Sequence, residues 1–245
     1  MRGLVGRRAA LARLEAENAA LRDRLARLEG RPDLGYLFVM TYGRSGSTVL
    51  NSVLNTVPGY TIRGENRAAL RHLHQFHATM LAEKRRRGAA TRTPGHPWYG
   101  IAGYPERRAL EALRALALQT VLRPEPGTRV TGFKEIRWYH DDLADHVGWL
   151  REVFPGARFV VNTRNHADVL RSGWWAEQGP GMADRLAEIE RDLLAVAADL
   201  GDAAHHVHYD DYAADPTALR PLFDWLGEPF DEDALRATMS VRLTH

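Results

Sequence analysis

The segment that most restricts the fold of this chain is 36–50, which reads YLFVMTYGRSGSTVL. It begins with a short apolar run typical of a strand buried in a parallel sheet, and residues 47–57 then show the apolar spacing of a helix. Gly43 and Gly46 allow the chain between them to turn so that successive N–H groups face one point. The sequence therefore predicts a strand–loop–helix unit that binds an anion such as phosphate or sulfate.

The loop differs from that of an ATP-binding protein. A nucleotide kinase or hydrolase would carry G-x-x-x-x-G-K-S/T, whose lysine reaches the terminal phosphates. Alignment on Gly46 places Ser47 at the position of this lysine and Thr41 at the position of the first glycine. Arg44 and the neighbouring hydroxyl groups remain, and such a set neutralises one oxyanion without a metal. The alternative is a serine-rich turn that only caps the helix.

Length and composition indicate one substantial domain with an appendage, because the 245 residues are 44% hydrophobic. The net charge of +2 does not indicate a nucleic-acid-binding protein. The chain has no cysteine, which excludes disulfides and thiolate metal sites. It also shows no apolar run long enough to span a membrane and no signal peptide, so we expect a cytoplasmic protein.

Residues 9–29 have the heptad spacing of a coiled coil. Asn18 is the polar residue on an otherwise leucine seam, and at a central a position it favours a parallel two-stranded register. We therefore expect a homodimer formed through 9–29. Sedimentation of a chain that lacks residues 1–30 tests this expectation, because an unchanged dimer would exclude the coiled coil as its cause. The alternative is that the helix packs on its own domain. The predicted domains are 1–33, a coiled-coil helix with its linker, and 34–245. The seam leucines are Leu11, Leu14, Leu21, Leu25 and Leu28.

The remainder of the chain alternates between strands and helices. This βαβ pattern predicts a P-loop-like, three-layer α/β/α fold with a mostly parallel sheet of four to five strands, and ligands at the carboxyl ends of the strands. We predict strands at 36–41, 60–63, 129–133, 158–163 and 204–209. We predict helices at 47–57, 66–87, 105–122, 141–153, 166–176, 182–200 and 216–227.

A second candidate anion site follows the strand predicted at 158–163. Arg164 lies at the end of this strand, and Ser172 is predicted about two turns into the next helix. Both side chains can therefore contact one phosphate over the sheet edge. Combined with the first loop, the pair indicates a ligand that carries two separate anionic groups.

With these two loops the chain resembles the sulfotransferases that use 3′-phosphoadenosine 5′-phosphosulfate (PAPS), over roughly residues 34–230. In that family an R-S-G-S/T-S/T loop holds the 5′-phosphosulfate and an R-x7-S element holds the 3′-phosphate. Segments 63–66 and 132–135 are similar to those of tyrosylprotein and bacterial members, and 208–216 is similar to a late block of the family. The residues that match the two binding motifs are Arg44, Ser45, Gly46, Ser47 and Thr48, and then Arg164 and Ser172.

The resemblance implies roles for three further side chains and a catalytic role for Arg44. Glu65 would be the base that accepts the proton of the acceptor, Lys134 would contact the sulfate or the bridging oxygen, and Tyr209 would lie against the nucleotide. Arg44 would stabilise the charge of the leaving phosphate. The alternatives are a carboxylate that complements a helix dipole for Glu65, a surface cation for Lys134 and a core aromatic for Tyr209. His140 is a second candidate base.

The expected function is transfer of a sulfuryl group from PAPS, without a metal, to a hydroxyl of a carbohydrate, a lipid or a small metabolite. The alternatives are a divergent P-loop kinase or nucleotide hydrolase, and a non-catalytic coiled-coil adaptor that keeps a nucleotide-binding fold. Flat aromatic side chains near predicted strand ends are candidates for an acceptor wall. They are Trp98, Tyr99, Trp138, Trp174 and Trp175.

Overall fold

The computed structural model describes residues 13–18, 33–177, 179 and 181–240. Its centre is a five-stranded sheet in the order β2-β3-β1-β4-β5, and every neighbouring pair of strands is parallel. The strands are β1 Gly35–Met40, β2 Tyr60–Arg63, β3 Val130–Glu135, β4 Arg158–Thr163 and β5 Ala204–His208. Because the strands are parallel, their carboxyl ends all meet at one edge of the sheet.

Helices cover both faces of the sheet. Alternate residues of β1 separate two apolar cores: Phe38 and Met40 face one, and Leu37 and Val39 face the other. The first core includes residues of α2 to α6, and the second includes residues of α1, α7, α8 and α9. The predicted three-layer fold is confirmed. The helices are α1 Ser47–Leu54, α2 Ala69–Arg87, α3 Glu106–Ala117, α4 Leu143–Val153, α5 His166–Leu170, α6 Met182–Leu200, α7 Tyr209–Ala214, α8 Arg220–Leu226 and α9 Glu232–Ser240.

The predicted elements and the observed ones differ mainly at helix ends. The helix predicted at 166–176 ends at Leu170, because the chain becomes extended at Ser172 (φ −113°, ψ 129°) and then turns at Gly173, whose φ of +58° is disfavoured for other residues. The helix predicted at 47–57 ends at Leu54. Neither α7 nor α9 was predicted, and residue 209, predicted to close β5, instead begins α7.

Most of the predicted N-terminal coiled coil lies outside the described residues. The described part, 13–18, is helical and exposed, and 61% of the surface of Leu14 is accessible. The coiled coil and the homodimer therefore stay predictions. Among the residues that the structure describes, no helix is both long enough and apolar enough to cross a bilayer.

Candidate active site

The first predicted anion loop lies at the carboxyl end of β1 and is shaped by a buried polar network. Thr41 Oγ1 donates a hydrogen bond to the carbonyl oxygen of Asn162 in β4 (2.7 Å) and lies 2.6 Å from Ser45 Oγ. Asn162 Nδ2 donates to the carbonyl oxygen of Ser45 (2.9 Å), and Tyr212 OH donates to Asn162 Oδ1 (2.7 Å). Because these polar groups are paired and buried, the loop is held in one conformation.

The backbone of this loop turns at two residues with positive φ, Arg44 (+66°) and Gly46 (+77°). A Cβ atom on Gly46 would lie 2.0 Å from the ring of Tyr209, so this position requires glycine. Gly46 is the N-cap residue of α1 and has no side chain with which to cap the helix. The N-terminus of α1, which begins with Ser47 and Thr48, therefore keeps N–H groups for an anionic ligand.

The second predicted loop joins the first directly. Arg164 follows β4, and its NH1 donates to the carbonyl oxygen of Arg44 (3.0 Å). Arg44 Nε in turn donates to Ser172 Oγ (2.8 Å). Arg44 and Ser172 were predicted to bind different anionic groups, and the structure brings them into contact. Ser172 reaches Arg44 because it follows α5 rather than lying inside a longer helix.

Tyr209 lies between the two loops. It is the first residue of α7, packs edge-on against Tyr212 at a centroid distance of 5.3 Å, and covers Gly46. The guanidinium of Arg164 lies over its ring, 4.7 Å from the centroid. Tyr209 is thus half-buried at the junction of the two loops, where a cation–π contact helps to hold Arg164 in place.

The predicted base, Glu65, and the predicted cation, Lys134, meet at the adjacent strand ends. Lys134 Nζ, at the end of β3, donates to Oε1 of Glu65, which follows β2, over 2.7 Å. The Lys134 side chain is 6% exposed and that of Glu65 is 36% exposed, so the pair faces solvent through the carboxylate. Arg137 NH1 lies 3.4 Å from the other oxygen of Glu65. Arg137 was not predicted, although its position three residues after Lys134, in a segment that also contains Glu135, was a signal for it.

His140, the second candidate base, lies in a buried cluster of aromatic rings. Its Nδ1 is 2.8 Å from the carboxylate of Asp142, and its ring centroid is 5.3 Å from that of His146. Burial, more than the positive charge of Arg71, lowers the pKa of His140. These contacts tie His140 to the packing between α2 and α4.

Glu135 is a buried carboxylate that fixes the segment containing Glu65. Its Oε2 accepts hydrogen bonds from the backbone N–H groups of Asn66 (3.0 Å) and Ala68 (2.8 Å). Arg67 and Ala68 both have φ near the left-handed value, at 58° and 57°. Such a conformation is unfavourable for residues with a side chain and persists only where the surroundings impose it. Glu135 therefore holds the turn that presents Glu65 to Lys134.

The hydrogen bonds that Glu135 accepts change its pKa. Burial raises its pKa, but the backbone donors of Ala68, Asn66, Ile136 and Arg137 outweigh burial and hold the pKa below its ordinary value. A carboxyl group with a lowered pKa in the folded state stabilises the fold above its unfolded pKa of about 4.3 and loses that contribution as the pH falls.

We therefore expect acid to destabilise the protein partly through Glu135. Glu135→Gln should lower the free energy of unfolding at pH 7 by on the order of 3 kcal/mol, because the amide cannot accept all four hydrogen bonds. The variant should also lose less stability than the wild type between about pH 5 and pH 3, as urea unfolding across this range would show. Glu111→Gln, at an exposed i,i+4 ion pair, is the control and should change little. Parallel pH profiles of Glu135→Gln and the wild type would contradict the assignment.

The five aromatic residues predicted as an acceptor wall do not form one surface of equal exposure. Trp138 and Trp175 are buried, and Trp175 Nε1 donates to the carbonyl oxygen of Gly43 (2.9 Å), so these two residues serve the core. Trp174 is 40% exposed and packs on Gly43, where an added Cβ would lie 2.9 Å from its ring. Trp98 and Tyr99 are exposed in the loop between α2 and α3. Of the two tryptophans that contact the first anion loop, Trp174 is the exposed one.

The parallel sheet, with a glycine turn between β1 and α1, defines an α/β protein of the P-loop-like class. Residues 37–232 match the sequence model of the Sulfotransferase family, and the chain belongs to this family. No curated protein sequence matches the chain. Within the described residues, no group of three or more histidine and carboxylate side chains has an arrangement that could hold a metal ion.

Three solved structures of sulfotransferases are similar to this chain to different degrees. The sulfotransferase domain of the Synechococcus PCC 7002 olefin synthase is 18% identical, with a TM-score of 0.55 over 87% of this chain and 81% of that domain. Sulfotransferase STF9 from Mycobacterium avium is 18% identical, with a TM-score of 0.46 over 91% of this chain and 70% of the other. A sulfotransferase from Alicyclobacillus acidocaldarius is 15% identical, with a TM-score of 0.48 over 88% and 87%.

Proposed function

We propose that this protein transfers a sulfuryl group from PAPS to a hydroxyl of a carbohydrate, a lipid or a small metabolite. The observation that carries the proposal is the contact between the two anion loops, in which Arg44 donates to Ser172 and Arg164 donates to Arg44. PAPS has a 5′-phosphosulfate and a 3′-phosphate on one ribose, so its recognition needs two cationic sites close together. The family to which the chain belongs supports the same donor.

The residues present fit such a donor. Ser45, Gly46, Ser47 and Thr48, with the N-terminus of α1, would hold the 5′-phosphosulfate, because the glycine leaves room for close approach and the helix end favours negative charge. Arg164 and Ser172 would hold the 3′-phosphate. Tyr209, which already packs against Arg164, would lie against the nucleotide. When bound, PAPS supplies an activated sulfate whose leaving group is 3′,5′-ADP.

Transfer then needs a proton acceptor and cations. The oxygen of the acceptor hydroxyl forms a bond to sulfur while the bond from sulfur to the bridging oxygen of the 5′-phosphate breaks. Glu65 takes the hydroxyl proton, since its carboxylate is the exposed member of the Glu65–Lys134 pair. Lys134 contacts the sulfuryl group and the bridging oxygen, and Arg44 stabilises the charge that grows on the leaving phosphate. The products are a sulfate ester and 3′,5′-ADP.

Two other functions predict different ligands. A divergent P-loop kinase or hydrolase would bind ATP with magnesium, and Ser47 at the position of the missing lysine disfavours it. A non-catalytic adaptor would bind nucleotide without transferring sulfate. We also propose a cytoplasmic location and a homodimer formed through residues 9–29.

Binding and transfer assays test the proposal. We expect transfer of label from PAPS to a hydroxyl acceptor, and we expect 3′,5′-ADP to bind at least about 10-fold more tightly than 5′-AMP because phosphate contacts from arginine are charge-assisted. Arg164→Ala should remove most of this difference, measured by isothermal titration calorimetry. Arg171→Ala, at an exposed ion pair with Asp168, is the matched control and should keep it. Tight magnesium-dependent ATP binding without discrimination by the 3′-phosphate would refute the proposal.

A further inference from the structure

A buried phenol connects the first anion loop to the second. Tyr42 is fully buried one residue before Gly43, and its OH accepts a hydrogen bond from the backbone N–H of Arg164 (2.8 Å). The same oxygen lies 3.1 Å from the carbonyl oxygen of Arg164. The backbone position of Arg164 therefore depends on where this phenol is held.

Glu190 of α6 holds the phenol. Tyr42 OH donates to Glu190 Oε2 over 2.5 Å, a short hydrogen bond of the charge-assisted kind. Burial, together with this hydrogen bond, raises the pKa of Tyr42, so the phenol keeps the proton that it donates. His166 Nε2 lies 3.1 Å from the same carboxylate oxygen, so α5 also approaches Glu190. The carboxylate is 22% exposed and is positioned by groups from both sides.

Arg164 and the residue after it also contact elements other than α6. Its NH1 donates to the carbonyl oxygen of Arg44, its guanidinium lies over Tyr209, and the N–H of the next residue, Asn165, donates to Asp210 (2.8 Å). The contact through Tyr42 joins Arg164 to α6. It acts on the backbone of Arg164, from which the guanidinium is carried.

We infer that Glu190 is a positioning residue for recognition of the 3′-phosphate, and that it acts through Tyr42 on Arg164. The inference rests on the proposed PAPS donor. A carboxylate near a phosphate site repels the ligand, so its charge alone would weaken binding. The two possible effects of Glu190 therefore have opposite signs: removal of a merely repulsive charge tightens binding of a 3′-phosphate, whereas removal of a positioning group weakens it.

The test compares 3′,5′-ADP with 5′-AMP, which differ only in the 3′-phosphate, by calorimetric titration of the full chain. Glu190→Ala should lower the affinity for 3′,5′-ADP by about 10-fold, the effect of one lost hydrogen bond to a charged group, and leave that for 5′-AMP within about 2-fold. Glu190→Gln, whose amide oxygen still accepts from the phenol, should recover most of the loss. Glu188→Ala, at an exposed ion pair of the same helix, is the control and should match the wild type.

A double-mutant cycle checks the route through the phenol. Tyr42→Phe should reduce the affinity for 3′,5′-ADP like Glu190→Ala, and the double variant should be no weaker than either single variant, because both remove the same connection. Equal losses for both ligands would show a general structural role, and tighter or unchanged binding of 3′,5′-ADP by Glu190→Ala would show no positioning. Either result overturns the inference.

The outcome for the wild type separates this inference from the proposed function. If the wild type binds 3′,5′-ADP no more tightly than 5′-AMP, the proposed donor is wrong and the inference fails with it. If the wild type discriminates but Glu190→Ala discriminates equally well, the donor stands and only the role of Glu190 is wrong.

Discussion

Lys134→Ala is expected to lower the turnover number for sulfuryl transfer by at least about 10²-fold, because removal of one preorganised donor to a developing charge has an effect of this size. The ammonium group is almost fully buried at the end of β3 and pairs with Glu65, and a water molecule that fills the space left by alanine cannot supply its positive charge. The affinity for 3′,5′-ADP should stay within about 3-fold, because that product lacks the sulfate that Lys134 contacts.

The chain offers a matched control for this change, since its only other lysine is Lys84. Lys84 lies near the end of α2, where it pairs with Glu106 and donates to the carbonyl oxygen of Tyr104. Lys84→Ala should leave transfer unchanged. Initial rates with labelled PAPS, beside titration with 3′,5′-ADP, measure both effects. Lys134→Ala with near-normal turnover, or with lost product binding, would contradict the role assigned to Lys134.

Gly132→Ala is expected to lower the free energy of unfolding by more than about 4 kcal/mol, which is at the extreme of single substitutions. Gly132 pairs with Leu37 across the β1–β3 ladder, and an added Cβ would lie 1.6 Å from the carbonyl oxygen of Leu37. That neighbour is backbone in the middle of the sheet, so the overlap cannot be relieved by rotating a side chain. The two central strands must separate instead, with loss of their hydrogen bonds and core contacts.

A second glycine provides the control. Gly148 lies in α4, is exposed, and would have open space around an added Cβ. Gly148→Ala should raise the free energy of unfolding by about 0.5–1 kcal/mol, because alanine favours a helix interior. Urea unfolding, or the yield of soluble protein if Gly132→Ala does not fold, measures the difference. A Gly132→Ala variant as stable as the wild type would show that β1 and β3 pack less closely than described.

The fold could be predicted from sequence because its strands are short apolar runs bounded by glycine, proline and polar residues. The strand at 158–163 was predicted with its observed bounds, and β1 within one residue. A short helix has too few apolar residues to show the 3.6-residue period of a helix, and the six-residue helix α7 was missed for this reason. The nine-residue helix α9 was also missed, although Asp231 caps it by accepting from the N–H of Ala234.

The sequence identified residues of the candidate site by their motifs, but it did not predict most of the contacts between them. Parallel topology was enough to bring Glu65 and Lys134 to one sheet edge, and they do meet. The contact between Arg44 and Ser172 required the early end of α5, which depends on the extended backbone of Ser172, and sequence patterns do not specify this conformation. Glu190 lies outside both motifs, and the sequence around it shows only the pattern of an ordinary amphipathic helix, so nothing marked it as a site residue. Pairings of this kind arise from tertiary packing.

The strand order divides the two tasks of the proposed reaction between the halves of the sheet. The two anion loops follow β1 and β4, whereas Glu65 follows β2 and Lys134 lies at the end of β3, on the opposite side of β1 from β4. The loops near the β2 edge can therefore diverge in sequence without altering how β1 and β4 present their arginines. One scaffold of this kind can acquire new acceptors during evolution while its donor chemistry is inherited unchanged.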